Sequence, residues 1–387
     1  MSVDWEEIRR IEFPALKDLV YIMAASASPI CKSAYENGIS YLNDMLNYGD
    51  IHFEDFLDEI ELARENIAQY INSKPDEITF LTNTSSGMNI VARLLEKGEI
   101  IYPSIEFPAS IHIFRRLGFI CKKIPHNNNK YLPKDFEKVI TKKTKYMIHS
   151  HVQSLTGFKQ NLNSLGNFCR GHGLINILNA TQSFCSFEID VKSHNIDVLV
   201  SNALKWACCG YGAGILYINN KLVKEKGIPF SSWLSVEDPY SMDNENMRVI
   251  NKTRYMDAFG GCPNFAALFS LKGGLDLIKN KIGNGNIQNG IKKIQDRIIL
   301  LTSKFIDELK YLSYRIISPL DTEFRSGILT LEHEKAEEIY EYLLKNNIYV
   351  TLKKYPNFSK STLLRFAFNY YNNFEDITKT INQLKKF

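Results

Sequence analysis

Short apolar runs alternate with amphipathic stretches from about residue 60 to 220. Ile78-Thr-Phe-Leu81, Ile100-Ile-Tyr102, Tyr146-Met-Ile-His-Ser150, Leu174-Ile-Asn-Ile-Leu178, Val198-Leu-Val200 and Gly214-Ile-Leu-Tyr-Ile218 have the length and apolar character of buried strands. Between them, residues 86–96, 109–117, 133–140 and 162–172 have helical periodicity. Strand and helix alternating this regularly predict an α/β fold with a mainly parallel sheet between helices. Further on, helical segments 263–280 and 289–312 precede strand-like Arg315-Ile-Ile317 and Ser326-Gly-Ile-Leu-Thr-Leu331. A helix over 335–345, a strand at Leu364-Arg-Phe-Ala-Phe368 and a helix from Phe374 complete a smaller α+β unit. The expected division is a large domain over 21–269 and a small domain made of 1–20 and 270–387, joined by a long helix. Asn127-Asn-Asn-Lys130 and Gly283–Gly290 read as single turns, and no internal repeat interrupts the pattern.

Composition narrows the function classes. The chain has 387 residues, enough for two domains and a well-buried core. It is 44% hydrophobic and 23% charged, an ordinary globular balance. Lysines and arginines exceed acids by only 47 to 43, and the basic clusters are short, which argues against nucleic-acid binding. No run reaches the ~20 apolar residues of a membrane helix. Seven scattered cysteines form no Cys-x-x-Cys pair, so no zinc or other metal site is expected and a reducing compartment is. The opening residues are charged where a signal peptide would be apolar, so the cytoplasm is the expected location.

Two local patterns carry chemistry by themselves. Lys205 follows an apolar strand and precedes the glycine-rich Gly210-Tyr-Gly212-Ala-Gly214, so its amine is expected to project from a strand end into a cleft. Phe80-Leu-Thr-Asn-Thr84-Ser85-Ser86-Gly-Met-Asn89 runs from strand to helix, where helix-start amides and hydroxyls suit an anion. The other reading, Ser85 and Ser86 as simple helix caps, is outweighed once the turn is combined with the lysine loop. The glycine cluster is not a dinucleotide fingerprint, because it precedes a strand and that fingerprint opens a helix.

Taken in order, these and further stretches resemble the class V aminotransferase and cysteine desulfurase superfamily, fold-type I enzymes that use pyridoxal 5'-phosphate. The resemblance runs through nearly the whole chain and implies a large domain with a seven-stranded sheet plus a small C-terminal domain. It implies that Lys205 bonds the cofactor and that Thr84 and Ser85 cradle its phosphate, with Asn202 in the place of a phosphate-binding serine. In Ile105-Glu-Phe107-Pro, Phe107 takes the position that stacks on the pyridine ring, although a buried phenylalanine is more often only core. In His149-Ser-His151-Val-Gln-Ser154-Leu-Thr-Gly157, Ser154 lies near the cofactor's phenolic oxygen, which Gln182 also contacts, and His151 matches a framework position. Gly261 and Cys262, in Phe259-Gly-Gly-Cys-Pro-Asn264, match a turn that reaches the partner subunit's phosphate, so a homodimer with shared active sites is implied. Arg365, in Leu363-Leu-Arg-Phe-Ala-Phe-Asn369, matches the clamp on an amino acid's α-carboxylate, a task suited to a planar fork. A structural ion pair is its alternative. Ala25, in Tyr21-Ile-Met-Ala-Ala-Ser, matches the substrate-entry turn.

Three departures bear on the reaction. Asn179 stands where the family has an aspartate that keeps the pyridine nitrogen protonated, and an amide cannot hold that proton by charge. The ring would then be a weaker electron sink, slowing transamination more than proton exchange, racemisation or β-elimination; a tolerated change on an ordinary transaminase site is the alternative. Leu204 replaces a histidine beside Lys205. No cysteine occurs after Cys262, so the mobile nucleophile of a persulfide-forming desulfurase is missing, and Cys208 and Cys209 read as packing residues. The expected function is that of an amino-acid enzyme of aminotransferase type, with an epimerase or β-elimination lyase next and a non-catalytic scaffold last.

Overall fold

The computed structural model describes residues 3–354 and 362–387. Seven strands form the main sheet: β1 (Ile78–Leu81), β2 (Glu99–Pro103), β3 (Ile120–Ile124), β4 (Thr144–Ser150), β5 (Ile175–Asn179), β6 (Val198–Asn202) and β7 (Gly214–Ile218). Their spatial order is β1-β7-β6-β5-β4-β2-β3. The pairings from β6 across to β3 are parallel, and only β7 runs against its neighbours on both sides. The reversal follows from chain length: β6 and β7 are joined by residues 203–213, too short for the crossover a parallel pair needs.

Central strands are apolar throughout because helices cover both faces. Phe80, Leu199, Ile215 and Tyr217 pack with the helix Phe53–Ile71 and its neighbours, while Ile100, Ile148, Ile177, Val198 and Val200 pack toward Thr84–Leu94. β3 was not expected from the sequence. It is an edge strand, largely exposed, with Lys122 and Lys123 in its middle, so it lacks the apolar run that marks a buried strand. The stretch expected as one helix over 109–117 is split into a 3₁₀ turn, Pro108–Ser110, and a short helix, His112–Arg116.

A second sheet has four antiparallel strands, β8 (Arg315–Ile316), β9 (Ile328–Glu332), β10 (Thr351–Lys354) and β11 (Thr362–Ala367), in the order β10-β11-β9-β8. Helices Ile287–Leu309, Ala336–Lys345 and Phe374–Leu384 pack on its outer face through Phe305, Ile339 and Ile381. The N-terminal segment joins this sheet: Val20 and Tyr21 pair with Ile348 and Tyr349, and the Ala24 amide donates to the Ala367 carbonyl at 3.2 Å.

The two sheets meet through the loop after β4. Gly157 sits at φ +68, and a Cβ there would lie 2.2 Å from the Ile328 carbonyl oxygen, so only glycine permits this approach. Thr330 and Ser326 donate hydroxyl hydrogens to the Leu155 and Gly157 carbonyls at 2.5 and 2.7 Å. Gly327 likewise leaves room for Trp206, whose ring edge would lie 2.6 Å from an added Cβ. Ser154 and Lys205 are thereby fixed against the strand that carries Arg365.

Candidate active site

The C-terminal ends of β4, β5 and β6 open onto a cleft of about 540 Å³, part of it open to solvent. Its lining includes Thr84, Ser85, Phe107, Ser154, Asn179, Gln182, Asn202 and Lys205, eight of the residues expected from the sequence. Clefts at the carboxyl ends of α/β sheets are where small molecules bind. A wider groove between the helices Trp5–Glu12 and Phe374–Leu384 lies apart from these residues, and its buried charges are already paired as Arg9 with Asp376 at 3.0 Å.

The helix Thr84–Leu94 points its N-terminus at the cleft. Asn83, not a serine, caps it: Asn83 Oδ1 accepts from the Ser86 amide at 3.0 Å, and Ser86 Oγ donates back to the Asn83 carbonyl at 2.7 Å. The first two helical amides, of Thr84 and Ser85, have no acceptor within the helix and stand at the positive end of its dipole. Asn202 lines the same wall, and its Oδ1 is buried with no partner among the described residues. The free helix-start amides and the Ser85 hydroxyl fit a phosphate, to which Asn202 could donate from Nδ2 but not from Oδ1.

Lys205 follows the end of β6 in a loop tied by the Ala203 amide to the Ala213 carbonyl at 3.0 Å. Burial, with Arg365 and Lys353 adding like charge, pulls its pKa down to about 7. Its Nζ lies 6.0 Å from the centre of the Phe107 ring. Phe107 is 48% exposed, so it is a wall of the cleft and not core. A flat heterocycle between them would cover that face.

Asn179 ends β5 and is held by two hydrogen bonds. Its Oδ1 accepts from the Thr181 amide at 3.0 Å, and its Nδ2 donates to Ser110 Oγ at 2.8 Å. A backbone amide can only donate, so the first bond fixes which end of the carboxamide is nitrogen. Ser110 Oγ passes its own hydrogen to Glu106 at 3.1 Å. Glu106 also accepts from the Phe107 amide (2.9 Å), the Ser150 amide and hydroxyl (2.7 and 2.5 Å) and Gln153 Nε2 (3.1 Å). Burial pushes its carboxyl up against these bonds, which pull it down. One N–H of Asn179 remains uncommitted. Glu106, Ser110 and Thr181 were not singled out as site residues from the sequence. The i, i+4 spacing of Glu106 and Ser110 was visible, but the chain's return to β5 was not.

Gln182 is more engaged than the resemblance implies. Its Nε2 donates to the Ala25 carbonyl at 2.9 Å and to Ser154 Oγ at 3.3 Å, and its Oε1 accepts from Trp206 Nε1 at 3.1 Å. Ala25 and Arg365 do not line the cleft themselves and are joined to it through Gln182 and Ser154. Arg365, 1% exposed on β11, donates to the Ser154 carbonyl (2.8 Å), Ser154 Oγ (3.1 Å) and Ser26 Oγ (2.8 Å). Its Nε is buried without a partner among the described residues, and none of its partners is an acid. Burial lowers its pKa to about 10.

Other expected residues lie elsewhere. Gly261 and Cys262 do not line the cleft of their own chain; they follow a turn in which Ala258 and Phe259 have φ of +45 and +62. That turn is anchored by Asp257, ion-paired with the buried Arg64 and accepting from the Phe80 amide at 2.7 Å. His151 is buried, and burial holds it neutral, as a framework residue would be. Burial raises the Cys208 thiol to about 12 and the Cys209 thiol well above its ordinary value, a setting that suits packing better than nucleophilic attack. No group of His, Cys, Asp and Glu able to hold a metal occurs among the described residues.

Comparison with known proteins gives the family. The model of the class V aminotransferases matches residues 20–380. An uncharacterized aminotransferase, YcbU, of Bacillus subtilis is 22% identical over 98% of this chain and 97% of its own. The apo structure of a cysteine desulfurase from Thermococcus onnurineus NA1 superposes with a TM-score of 0.86 at 20% identity, covering 100% of this chain and 99% of that one. A complex of the cystine C-S lyase C-DES with its product cysteine persulfide does so at 0.85 and 18%, covering 97% and 100%. The chain belongs to the class V aminotransferase family, whose cofactor is pyridoxal phosphate.

Proposed function

We propose that the protein is a pyridoxal-phosphate enzyme that breaks the Cα–H bond of an amino acid and expels a leaving group from Cβ. The observation that carries this reading is the locked carboxamide of Asn179, which turns an N–H, not a charge, toward the cleft. When bound, the cofactor supplies the electron sink for the bond broken at Cα. With an amide in place of a carboxylate that sink is weaker, and a reaction whose electron pair leaves with a β-substituent depends on it least. The sequence favoured an aminotransferase-like reaction, and the name of the Bacillus relative keeps it as the second reading.

In this reading Thr84, Ser85 and Asn202 hold the phosphate, Phe107 covers one ring face, and Lys205 bonds the cofactor. Arg365 and Ser26, beside the Ala25 turn, receive the α-carboxylate. Released when the substrate's amine takes its place on the cofactor, Lys205 Nζ would take the Cα proton, and the burial that lowers its pKa favours the neutral amine this needs. Ser154 lies between Arg365 and Gln182 and accepts from both, so an incoming carboxylate at Arg365 competes with the Ser154 oxygen for the arginine's N–H.

The proposal also keeps residues 21–269 as the large cofactor-binding domain and 1–20 with 270–387 as the small domain, and makes the enzyme a homodimer through the Gly261–Cys262 turn. It places the enzyme in the cytoplasm, where its seven free cysteines would stay reduced.

The test is to incubate the cofactor-loaded protein with β-chloro-L-alanine and measure pyruvate, ammonia and the pyridoxamine form of the cofactor. Pyruvate and ammonia in equal amounts, with the cofactor unchanged, support the reading. Stoichiometric conversion of the cofactor to its amine without elimination overturns it in favour of transamination.

A further inference from the structure

We infer that the substrate carries a second anionic group, on its side chain, and that Lys353 receives it. The inference rests on the reading of Arg365 as the α-carboxylate site.

Arg365 lies on β11 between two strands, opposite Thr330 of β9 and Thr351 of β10. Residues directly opposite in an antiparallel pair share a face, and residues two apart along a strand share it as well. Lys353, two beyond Thr351 and opposite Leu363, therefore stands on the face that carries Arg365. That face turns toward the main sheet: Leu363 packs with Ile101, Ile105 and Leu155, while Leu364 packs on the opposite face with Phe305 and Ile339. Diagonal neighbours of this kind have Cα atoms about 7–8 Å apart, which two long basic side chains can span or share.

The next residue gives the contrast. Lys354 points to the other face, is exposed, and reaches Glu337 at 3.6 Å. Lys353 is half-buried, and among the described residues the one charge that bears on it is Arg365, of the same sign. Burial and Arg365 both lower its pKa. Lys205 likewise feels Arg365 and Lys353 and, among the described residues, no acid. Glu332, opposite Leu363 on the same face, is paired with Arg315 at 2.8 Å, and no described acid pairs with Lys205, Lys353 or Arg365.

A count of charges assigns the anions. The phosphate belongs at the start of the helix Thr84–Leu94. Lys205 is neutralised when it bonds the cofactor, and the α-carboxylate neutralises Arg365. Lys353 is left over. A cation held partly out of water, beside another cation, is unfavourable until an anion arrives. Amino acids whose β-substituent carries a carboxylate are the class that supplies one.

The experiment uses the cofactor-loaded full chain and carboxylates without an amine, which bind but cannot react. Succinate and glutarate are titrated calorimetrically against butyrate. One of the two dianions is expected to bind at least about tenfold tighter than butyrate. Lys353→Met, which keeps the aliphatic stem, is expected to remove that advantage and leave butyrate within about twofold, and Lys353→Arg to restore it. Equal affinity for all three in the wild type, or an equal loss for all three in Lys353→Met, overturns the inference. Arg365→Gln separates the two levels of the argument. If it weakens dianions and butyrate alike, the α-carboxylate site stands and only the Lys353 comparison is at stake. If it weakens neither, the reading of Arg365 fails and the inference with it.

Discussion

Replacing Asn179 by aspartate reverses the one hydrogen bond that sets this site apart. The Thr181 amide can still donate to the new side chain, but Ser110 has a single hydroxyl hydrogen and now faces two carboxyls, the introduced one and that of Glu106. One buried carboxylate oxygen therefore loses its partner, at about 1–3 kcal/mol. Like charge and burial raise the new carboxyl's pKa in the folded cofactor-free protein, each unit being worth about 1.4 kcal/mol. A loss of roughly 3 kcal/mol at pH 8 follows from these two terms. Because the folded pKa is the raised one, the penalty is absent below the ordinary carboxylate pKa near 4 and grows as the pH rises through the folded value. With an unfolding entropy of about 2.1 cal/mol/K per residue, 3 kcal/mol is roughly 4 °C in Tm for a chain of 387 residues. Pyridoxal phosphate gives the new carboxylate a ring nitrogen that can carry a proton, so the cofactor should raise the Tm of Asn179→Asp more than that of the wild type. Calorimetry of both proteins, with and without cofactor, at pH 5 and pH 8 checks this. An apo variant as stable as the wild type at pH 8, or one that gains less from the cofactor, would refute the geometry given to Asn179.

The Lys205 amine of the cofactor-free protein should react with trinitrobenzenesulfonate with a midpoint near pH 7, and Arg365→Gln should move that midpoint upward further than Lys353→Met does. The same depressed pKa means that native Lys205 is neutral between about pH 7 and 10.5 while the unfolded chain is charged there, so stability rises with pH across that window; Lys205→Met should stabilise the apo protein at pH 6 and have little effect near pH 10. Asp257→Ala leaves the buried Arg64 with only the partly exposed Glu61 as counter-charge and should cost about 3–5 kcal/mol, measured by urea unfolding. Cys208→Ser should leave turnover of a β-substituted amino acid within about threefold of wild type, because a thiol raised to about 12 is no nucleophile at neutral pH.

The central strands were legible because burial on both faces leaves uninterrupted apolar runs. The edge strand Ile120–Ile124 was hidden by Lys122 and Lys123, which face solvent. Within the site, Lys205, Asn179 and Gln182 could be found because each ends or closely follows a strand in a marked sequence context. Glu106, Ser110 and Lys353 could not. Their roles depend on which strand lies beside which: Ser110 matters because β5 brings Asn179 to it, and Lys353 because β10 pairs with the strand of Arg365. The capping of Thr84–Leu94, weighed as an alternative for Ser85 and Ser86, involves only the second of them. Asn83 and Ser86 share it, which leaves the Ser85 hydroxyl free. The ion pair weighed for Arg365 is not formed with any described residue, since its partners are serine oxygens.

The most direct test of the account is to reduce the cofactor-loaded protein with borohydride, digest it and locate the label by mass spectrometry. The account predicts a visible absorption band that borohydride bleaches, one cofactor equivalent per chain on the peptide containing Lys205, and none in Lys205→Ala. Absence of the band, or label on any other lysine, would contradict it.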